Sequence, residues 1–311
     1  MFKTPILFLV FNRPELTKRV FEQIRKIQPA FLYIAADGPR PNKPGEDKIC
    51  SEVKNIILSN IDWDCEVKTL FRDANLGCGV AVSEAISWFF SNIEEGIILE
   101  DDCLPNNSFF SFCETMLLKF RDNDSIMHVS GNNFQFSNIG SECYYLSKLP
   151  HIWGWATWKS AWQKYDLELK TFDQDKAGNY FNYAPIDCYW FQIFASIKND
   201  LIKHTWDYQW TFAIFKNEGL CILPQKNLVS NIGFGVDSSH TTDVNNSLAN
   251  LKSYDMEIFI SKSKVIYNPV VDINFHRTFR WEKELFNSNS ISGKKAFKIL
   301  FDKLKYKILR K

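Results

Sequence analysis

The chain contains 311 residues, enough for one large domain, or for one such domain with a smaller appendage. Hydrophobic residues make up 45% and charged residues 23%, as is typical of a globular protein with a core, and the net charge of +1 gives no reason to expect a nucleic-acid partner. The eight cysteines form no Cys-x-x-Cys pair, so we expect no zinc site and a reduced, cytoplasmic protein. No apolar stretch approaches the roughly 20 residues needed to cross a bilayer.

The first 130 residues alternate between short apolar runs and amphipathic segments. The apolar runs predict strands buried on both faces, and they cover residues 6–11, 31–35, 66–70, 96–99 and 126–129. Helices are predicted between them, the first with Pro14 in its opening turn and the second with Ile49, Val53 and Ile56 on its inward face. Repeated units of this length predict an α/β fold with a mostly parallel sheet and helices on both faces.

After about residue 140 this regular alternation is lost. Short strands, tryptophan-rich loops and one amphipathic helix with Trp190, Phe194, Ile197 and Leu201 predict an irregular half packed against the sheet. The end of the chain is rich in Lys and Arg. We therefore divide the chain into a first half (1–135), a second half of the same domain (136–285) and a basic amphipathic tail (286–311).

The predicted strands end in polar residues. In an open parallel sheet, ligands bind beyond the carboxyl ends of the strands, so these residues should converge on one crevice. The four ends carry Phe11-Asn12-Arg13, Asp37-Gly38, Phe71-Arg72-Asp73 and Glu100-Asp101-Asp102.

The acid triplet Glu100-Asp101-Asp102 is the most informative of these ends. Three adjacent carboxylates at the end of an apolar strand repel one another unless a cation neutralises them, and oxygen-only ligands suit Mg²⁺ or Mn²⁺. The alternative is a solvated acidic loop that opens the next helix. The presence of Asp37 and Arg72 at neighbouring strand ends favours the metal.

This order of elements resembles the nucleotide-sugar domain of the GT-A glycosyltransferases, including bacterial family 2 enzymes, and the triplet resembles the E-D-D form of their "DXD" motif, found in the N-acetylglucosaminyltransferase I type. The resemblance covers residues 4–130 and continues loosely to about 240. It implies a GT-A-like (Rossmann-like) fold with a Mn²⁺ or Mg²⁺ cofactor on Asp102, Glu100 and Asp101 near the ribose and the donor sugar, and Asp37 at the nucleoside. The segment 71–77 resembles the one that lines the donor pocket.

The donor-binding residues predicted in this way lie at or just after the strand ends. They are Phe11, Asn12, Arg13, Asp37, Arg72, Asn75, Gly77, Glu100 and Asp101.

A second carboxylate is needed if transfer inverts the sugar, because a base must take the proton from the acceptor hydroxyl. Asp207 is the candidate, since it lies among the aromatic residues of 205–210 and resembles the base in the W-D-x-x-W-like segment of this glycosyltransferase type. The alternative is an aspartate that caps the following helix.

Aromatic residues in two segments are candidates for acceptor binding, since flat apolar rings match the face of a sugar. They are Trp153 and Trp155, in a Trp-Gly-Trp-Ala-Thr-Trp segment that resembles one of bacterial relatives, and Trp206 and Tyr208 beside Asp207. A core cluster is the equal alternative. His240, in the polar loop 237–250, is a candidate for contact with the metal or a phosphate, although a lone histidine is more often structural.

Residues 294–311 place apolar side chains on one helical face with lysines around them, a pattern typical of helices that lie on anionic membranes. The alternative is a solvated terminal helix. We therefore expect a cytoplasmic protein that contacts the inner face of the cytoplasmic membrane peripherally.

Taken together, these features predict a metal-dependent inverting glycosyltransferase, hexosyl or N-acetylhexosaminyl, that moves a sugar from a nucleotide-diphosphate donor, expected to be a UDP-sugar. Its acceptor would be a glycan or lipid-linked glycan in surface polysaccharide or lipooligosaccharide synthesis. One alternative is a nucleotidyltransferase or another Mg²⁺-dependent phosphoryl-transfer enzyme, although residues 11–15 lack the Gly- and Lys/Arg-rich phosphate loop usual there. Another alternative is a non-catalytic sugar-binding protein, in which the role of the acid triplet would be unexplained.

Overall fold

The computed structural model describes residues 1–135, 139–176, 178–235, 248–260 and 265–278. Its strands are β1 Ile6–Val10, β2 Phe31–Ala36, β3 Glu66–Phe71, β4 Glu95–Glu100, β5 Cys103–Pro105, β6 Ile126–Ser130, β7 Tyr144–Ser147, β8 Trp155–Trp158, β9 Leu220–Pro224 and β10 Val229–Asn231. Its helices are α1 Pro14–Ile27, α2 Glu46–Leu58, α3 Cys78–Asn92, α4 Asn107–Phe120, α5 Lys159–Trp162, α6 Ala184–Lys198, α7 Asp207–Lys216 and α8 Pro269–Thr278. None of these helices is long and apolar enough to span a membrane.

Eight strands form one sheet in the order β3-β2-β1-β4-β8-β6-β9-β7. The pairs β3–β2, β2–β1, β1–β4 and β6–β9 are parallel, whereas β8 and β7 run antiparallel to their neighbours. The predicted α/β class with a mostly parallel sheet is therefore confirmed, as are all five strands predicted in the first 130 residues. Strand β8 lies between β4 and β6, so both halves of the chain build the same sheet.

The central strands of the sheet are buried on both faces because their side chains alternate between two apolar clusters, whereas the edge strand β3 is partly exposed. Leu7 and Leu9 of β1 pack with Phe89 of α3 on one face, where α6 and α7 also lie. Ile6 and Phe8 point to the other face, toward α1, α2 and α4. Full burial of each such side chain stabilises the fold by roughly 1.5–3 kcal/mol, which explains why these runs carry almost no polar residues.

Helix α2 presents a different face from the one predicted. Val53 is buried as expected, but Ile49 is 39% exposed, and Cys50 and Ile57 are buried instead. The helix begins at Glu46, whose own side chain is buried and binds Arg40. Residues 46, 50, 53 and 57 form one buried helical face, so the predicted face of 49, 53 and 56 is about one residue out of phase. Leu201 is likewise 69% exposed, because α6 ends at Lys198.

The register of the first four strands brings their carboxyl ends to one edge. Val10 pairs with Ala36, Ala36 pairs with Phe71, and Leu9 pairs with Glu100. The residues that follow these strands therefore emerge side by side. A two-stranded sheet of β5 and β10 lies just beyond this edge, with Asn231 opposite Cys103. It brings the segment after β10 back to the acid triplet.

Helix α8 is held against β7 by a buried carboxylate. Asp272 is 1% exposed and accepts hydrogen bonds from the Lys148 amide at 2.9 Å, the Tyr267 hydroxyl at 2.8 Å and the Ser147 hydroxyl. Burial raises the pKa of Asp272 from 3.8 to about 6, although the bonds from Ser147, Lys148 and Tyr267 act in the opposite direction.

This shift predicts how the stability that Asp272 contributes depends on pH. Folded Asp272 binds its proton more tightly than the unfolded chain does, so its contribution is present near pH 4 and is lost as the pH rises through about 6. The unfolding free energy of the wild type, relative to that of Asp272→Asn, should fall by on the order of 3 kcal/mol between about pH 4 and pH 6.5. Denaturant unfolding of both proteins measures the difference. A difference independent of pH would contradict this account.

Candidate active site

The acid triplet lies at the end of β4 and is paired with an arginine from the end of β1. Arg13 precedes α1 and donates to Asp101 through one guanidinium nitrogen, while its Nη1 lies 2.9 Å from Oδ2 of Asp102. Because β1 and β4 are adjacent parallel strands, their ends meet, and Arg13 reaches both carboxylates at once. The predicted convergence of these two strand ends is confirmed.

One arginine does not balance the charge of this cluster. Burial, together with the neighbouring carboxylates of Asp102 and Asp101, raises the pKa of Glu100 to about 8. Burial also raises the pKa of Asp101 to about 6, against the lowering effect of Arg13. Asp101 is 2% exposed, and its Oδ2 has no hydrogen-bond partner among the described residues. The triplet thus holds more negative charge than the surrounding protein neutralises.

The residues present fit a hard divalent cation that is bound partly by the protein and partly by the phosphate oxygens of a bound molecule. No three His, Cys, Asp or Glu side chains within the described residues are arranged to enclose a metal on their own. Mg²⁺ and Mn²⁺ sites commonly use one or two carboxylates and complete their shell with phosphate oxygens and water. The uncompensated charge, the unpartnered oxygen of Asp101 and the oxygen-only chemistry of the triplet agree with that type of site.

The segment after β10 packs directly on Asp102. The amide of Ile232 donates to the Asp102 carbonyl oxygen at 2.9 Å. A Cβ on Gly233 would lie 2.2 Å from Oδ2 of Asp102, so only glycine permits this approach. The Cys103 thiol lies 3.4 Å from Oδ1 on the other side. The Asp102 carboxylate is therefore held in one orientation by Arg13, Cys103 and the backbone at Gly233.

Asp37 is used to hold a neighbouring loop. Its carboxylate accepts hydrogen bonds from the amides of Gly38, Leu76 and Gly77 and from the side chain of Asn75, at 2.9 to 3.2 Å. The predicted residues Asp37, Asn75 and Gly77 are thus brought together, but the carboxylate oxygens are occupied by the protein. Asp37 therefore shapes this loop, and the nucleoside contact that the resemblance implied stays a prediction.

Glu46 is a site residue that sequence reasoning missed. Its buried carboxylate binds the side chain of Asn12 at 2.9 Å, the backbone amide of Arg40 at 2.7 Å and the Arg40 guanidinium. Hydrogen bonding from Arg40 holds the pKa of Glu46 below its usual value. Arg40 in turn lies over the Phe11 ring, 5.5 Å from its centroid. A glutamate after a Pro- and Lys-rich loop resembles an ordinary helix start, so the sequence carries no clear signal for this role.

Arg72 faces away from the triplet. Its guanidinium pairs with Glu84 of α3 at 3.2 Å and is 12% exposed. The structure places Arg72 at the same sheet edge, but not in contact with the acids.

Asp207 begins α7 and lies near the triplet. Trp206 is the residue that precedes the helix, and Asp207 is the first helical residue, so Asp207 does not occupy the N-cap position. The charge of Asp207 acts on Glu100, whose pKa is raised mainly by burial, and on Cys78, whose pKa burial raises to about 12. Asp207 is partly exposed.

Two of the four predicted acceptor-binding aromatics are core residues. Trp155 and Trp206 are 0% and 3% exposed and stack on each other at 5.8 Å between ring centroids. Strand β8 lies inside the sheet, which explains why Trp155 has no free face. The acceptor prediction for these two residues is therefore corrected to a core role.

Trp153 and Tyr208 are partly exposed, and their role in acceptor binding stays a prediction. The Trp153 ring lies edge-on to Phe234, 5.6 Å between centroids, and so adjoins the segment on Asp102. His240 and the basic tail 294–311 lie outside the described residues.

The sequence matches no protein-family model and no curated protein. Among solved structures, the chain is similar to a cytidylyltransferase from Leptospira borgpetersenii, with 15% identity and a TM-score of 0.33 over 53% of this chain and 63% of that one. Mouse xyloside xylosyltransferase 1 gives 10% identity and a TM-score of 0.33, over 70% and 82% of the two chains. A 4-diphosphocytidyl-2C-methyl-D-erythritolsynthase from Anaerococcus prevotii gives 8% identity and a TM-score of 0.37, over 71% of this chain and 88% of that one.

The chain spans less than two thirds of the length of the Leptospira enzyme. With TM-scores of 0.37 or less, these likenesses carry no argument about function, which must be argued from the site itself.

Substitution of Asp37 should destabilise the protein. Asp37→Ala leaves three backbone amides without their acceptor, and unmade hydrogen bonds of this kind predict a loss on the order of 2–4 kcal/mol in the unfolding free energy. Denaturant unfolding measures this loss of stability, and Asp73→Ala, at an exposed residue nearby, is the control. If Asp37→Ala were as stable as wild type and lost only nucleotide affinity, Asp37 would be a direct ligand contact.

Removal of the Arg13 guanidinium should increase cation affinity. Arg13→Gln frees Oδ2 of Asp102 and removes a positive charge, so Mn²⁺ should bind the nucleotide-free protein about tenfold more tightly or better. Electron paramagnetic resonance titration of free Mn²⁺ measures the affinity. Arg40→Gln is the control, since it removes a guanidinium that pairs with Glu46. Equal affinities of wild type and Arg13→Gln would show that Arg13 does not compete with the cation.

Proposed function

We propose that this chain is a metal-dependent glycosyltransferase that transfers a sugar, with inversion, from a nucleotide-diphosphate donor. The observation that carries the proposal is the carboxylate cluster at the end of β4, in which Arg13 pairs with Asp101 and Asp102 while Oδ2 of Asp101 has no partner among the described residues. A separate carboxylate, Asp207, is close enough for its charge to act on Glu100. Such a transfer requires two groups: an acid that binds the cation, and a second carboxylate that acts as the base. A nucleotidyltransferase would use the same triplet, but it gives Asp207 no task.

In this proposal the donor binds across the ends of β1, β2 and β4. Phe11 and Asn12 are held in place by Arg40 and Glu46, and the loop 74–77 is shaped by Asp37. Asp102 holds the divalent cation. When bound, the cation neutralises the diphosphate as it leaves the sugar. Arg13 orients Asp102 and lies at the same edge, where its guanidinium can also attract phosphate oxygens.

The acceptor approaches from the side of α7. Asp207 takes the proton from the attacking hydroxyl, and Trp153 and Tyr208 offer partly exposed aromatic surface to the acceptor sugar. Glu100 and Asp101 lie toward the ribose and the donor sugar.

We extend the proposal to a UDP-hexose or UDP-N-acetylhexosamine donor and to a glycan or lipid-linked glycan acceptor. The basic tail 294–311 would contact an anionic membrane where a lipid-linked acceptor lies, on the cytoplasmic side.

A thermal-shift screen of nucleotide sugars, with and without Mn²⁺, tests the proposal. A ligand at about 100 times its dissociation constant stabilises a protein by about 2.7 kcal/mol, so one nucleotide sugar should raise the melting temperature clearly when Mn²⁺ is present. The shift should vanish in Asp102→Asn and persist in the control Asp122→Asn, an exposed aspartate after α4.

The same screen separates the alternatives. Stabilisation by a nucleoside triphosphate, but by no nucleotide sugar, would indicate a nucleotidyltransferase. Stabilisation by free sugars without Mn²⁺ would indicate a sugar-binding protein. Either result would contradict the proposed function.

A further inference from the structure

Tyr165 contacts the start of α7 from a turn that follows α5. Its hydroxyl donates to the Trp206 carbonyl oxygen at 3.2 Å. Trp206 immediately precedes Asp207, so Tyr165 holds the peptide that carries the proposed base. Burial raises the pKa of Tyr165, and the nearby charge of Asp207 raises it further, which places the phenol close to that carboxylate.

The start of α7 needs such a contact because it has no side-chain cap. Trp206 occupies the position where Ser, Thr, Asp or Asn would bind the free amides of the first turn, and no side-chain cap bond is formed there. An uncapped first turn frays easily. A base on the first helical residue would then be poorly positioned, and displacement of about 1 Å can lower a rate by about 100-fold.

Tyr165 itself is rigidly supported. Its ring stacks on Trp162 with centroids 4.2 Å apart and an interplanar angle of 11°. Trp162 is 5% exposed and donates from Nε1 to the Ser87 hydroxyl of α3 at 3.0 Å. The hydroxyl of Tyr165 is therefore fixed relative to both α3 and the sheet.

Two further contacts hold the same segment from other sides. Gln209 and Thr205 bond reciprocally, with Nε2 of Gln209 3.0 Å from the Thr205 carbonyl oxygen. A Cβ on Gly79 would lie 2.9 Å from that same oxygen, so α3 packs tightly against the segment. These contacts fix residue 205, whereas the bond from Tyr165 acts on the next carbonyl, directly before Asp207.

We propose that Tyr165 is a positioning residue for Asp207. By donating its hydroxyl proton to the Trp206 carbonyl, it holds the first turn of α7 in place. The inference rests on the proposed function for its catalytic part, but the tether itself is independent of it.

Tyr165→Phe is the direct test because it keeps the ring stack and removes only the hydroxyl. The matched control is Tyr145→Phe on β7, which removes a buried hydroxyl that donates to Oδ1 of Asn133 at 3.1 Å. Two quantities are measured in each protein: amide hydrogen exchange at Trp210, whose N–H bonds the Trp206 carbonyl at 3.2 Å, and steady-state transfer kinetics with the nucleotide sugar and Mn²⁺.

In Tyr165→Phe we expect exchange at Trp210 to be about tenfold faster or more, and kcat to fall about tenfold or more while donor KM stays within twofold. In Tyr145→Phe both quantities should stay near wild type. In the Asp207→Asn background, where kcat is already reduced about 100-fold or more, Tyr165→Phe should lower it no further.

Unchanged exchange at Trp210 would overturn the tether, whatever the kinetics show. Faster exchange with an unchanged kcat would overturn the positioning role and leave the proposed function intact. A wild-type protein without transferase activity would overturn the proposed function and with it the catalytic part of this inference.

Discussion

The candidate site depends on the electrostatic repulsion among carboxylates at the end of β4. Three acids lie at the end of a buried strand, and burial raises the pKa values of two of them, Glu100 and Asp101. Arg13 relieves part of this repulsion by bridging Asp101 and Asp102. In the proposed function, the remaining negative charge attracts a divalent cation, and the cation in turn binds the nucleoside diphosphate.

Close contacts at three glycines pack distant segments of the chain against one another around the site. A Cβ on Gly38 would lie 2.4 Å from the backbone of Ala74, one on Gly79 would meet the Thr205 carbonyl, and one on Gly233 would meet the Asp102 carboxylate. Each contact joins a loop at one strand or helix end to a loop from another part of the chain. The sheet fixes where these loops begin, and the glycines permit them to pack within van der Waals distance of the acids and of α7.

The sequence was sufficient for the first half of the fold and for the centre of the site. Continuous apolar runs such as 6–11 predict doubly buried strands, and the rule that ligands lie beyond parallel strand ends predicts that Arg13 and the triplet lie close together. It was insufficient for the buried polar contacts. Nothing in the sequence indicates that the Glu46 carboxylate binds Asn12 and Arg40, or that the Asp37 carboxylate accepts hydrogen bonds from loop amides.

The second half was harder to predict because its strands pair across long sequence distances. Periodicity does not reveal that β8 inserts between β4 and β6, and this insertion is what buries Trp155. A tryptophan-rich segment gives the same pattern whether its rings face a sugar or a core. The position of Asp207 near the triplet also required the structure, whereas its residue type and aromatic neighbours were sufficient to single it out.

The account requires that a divalent cation bind at Asp102 together with a nucleoside diphosphate. Anomalous diffraction from crystals grown with Mn²⁺ and UDP measures this directly. We expect an anomalous peak in contact with the Asp102 carboxylate and with diphosphate oxygens, at the crevice that Arg13 and Asp207 share. A peak at another position, or bound UDP with no Mn²⁺ at Asp102, would contradict the account.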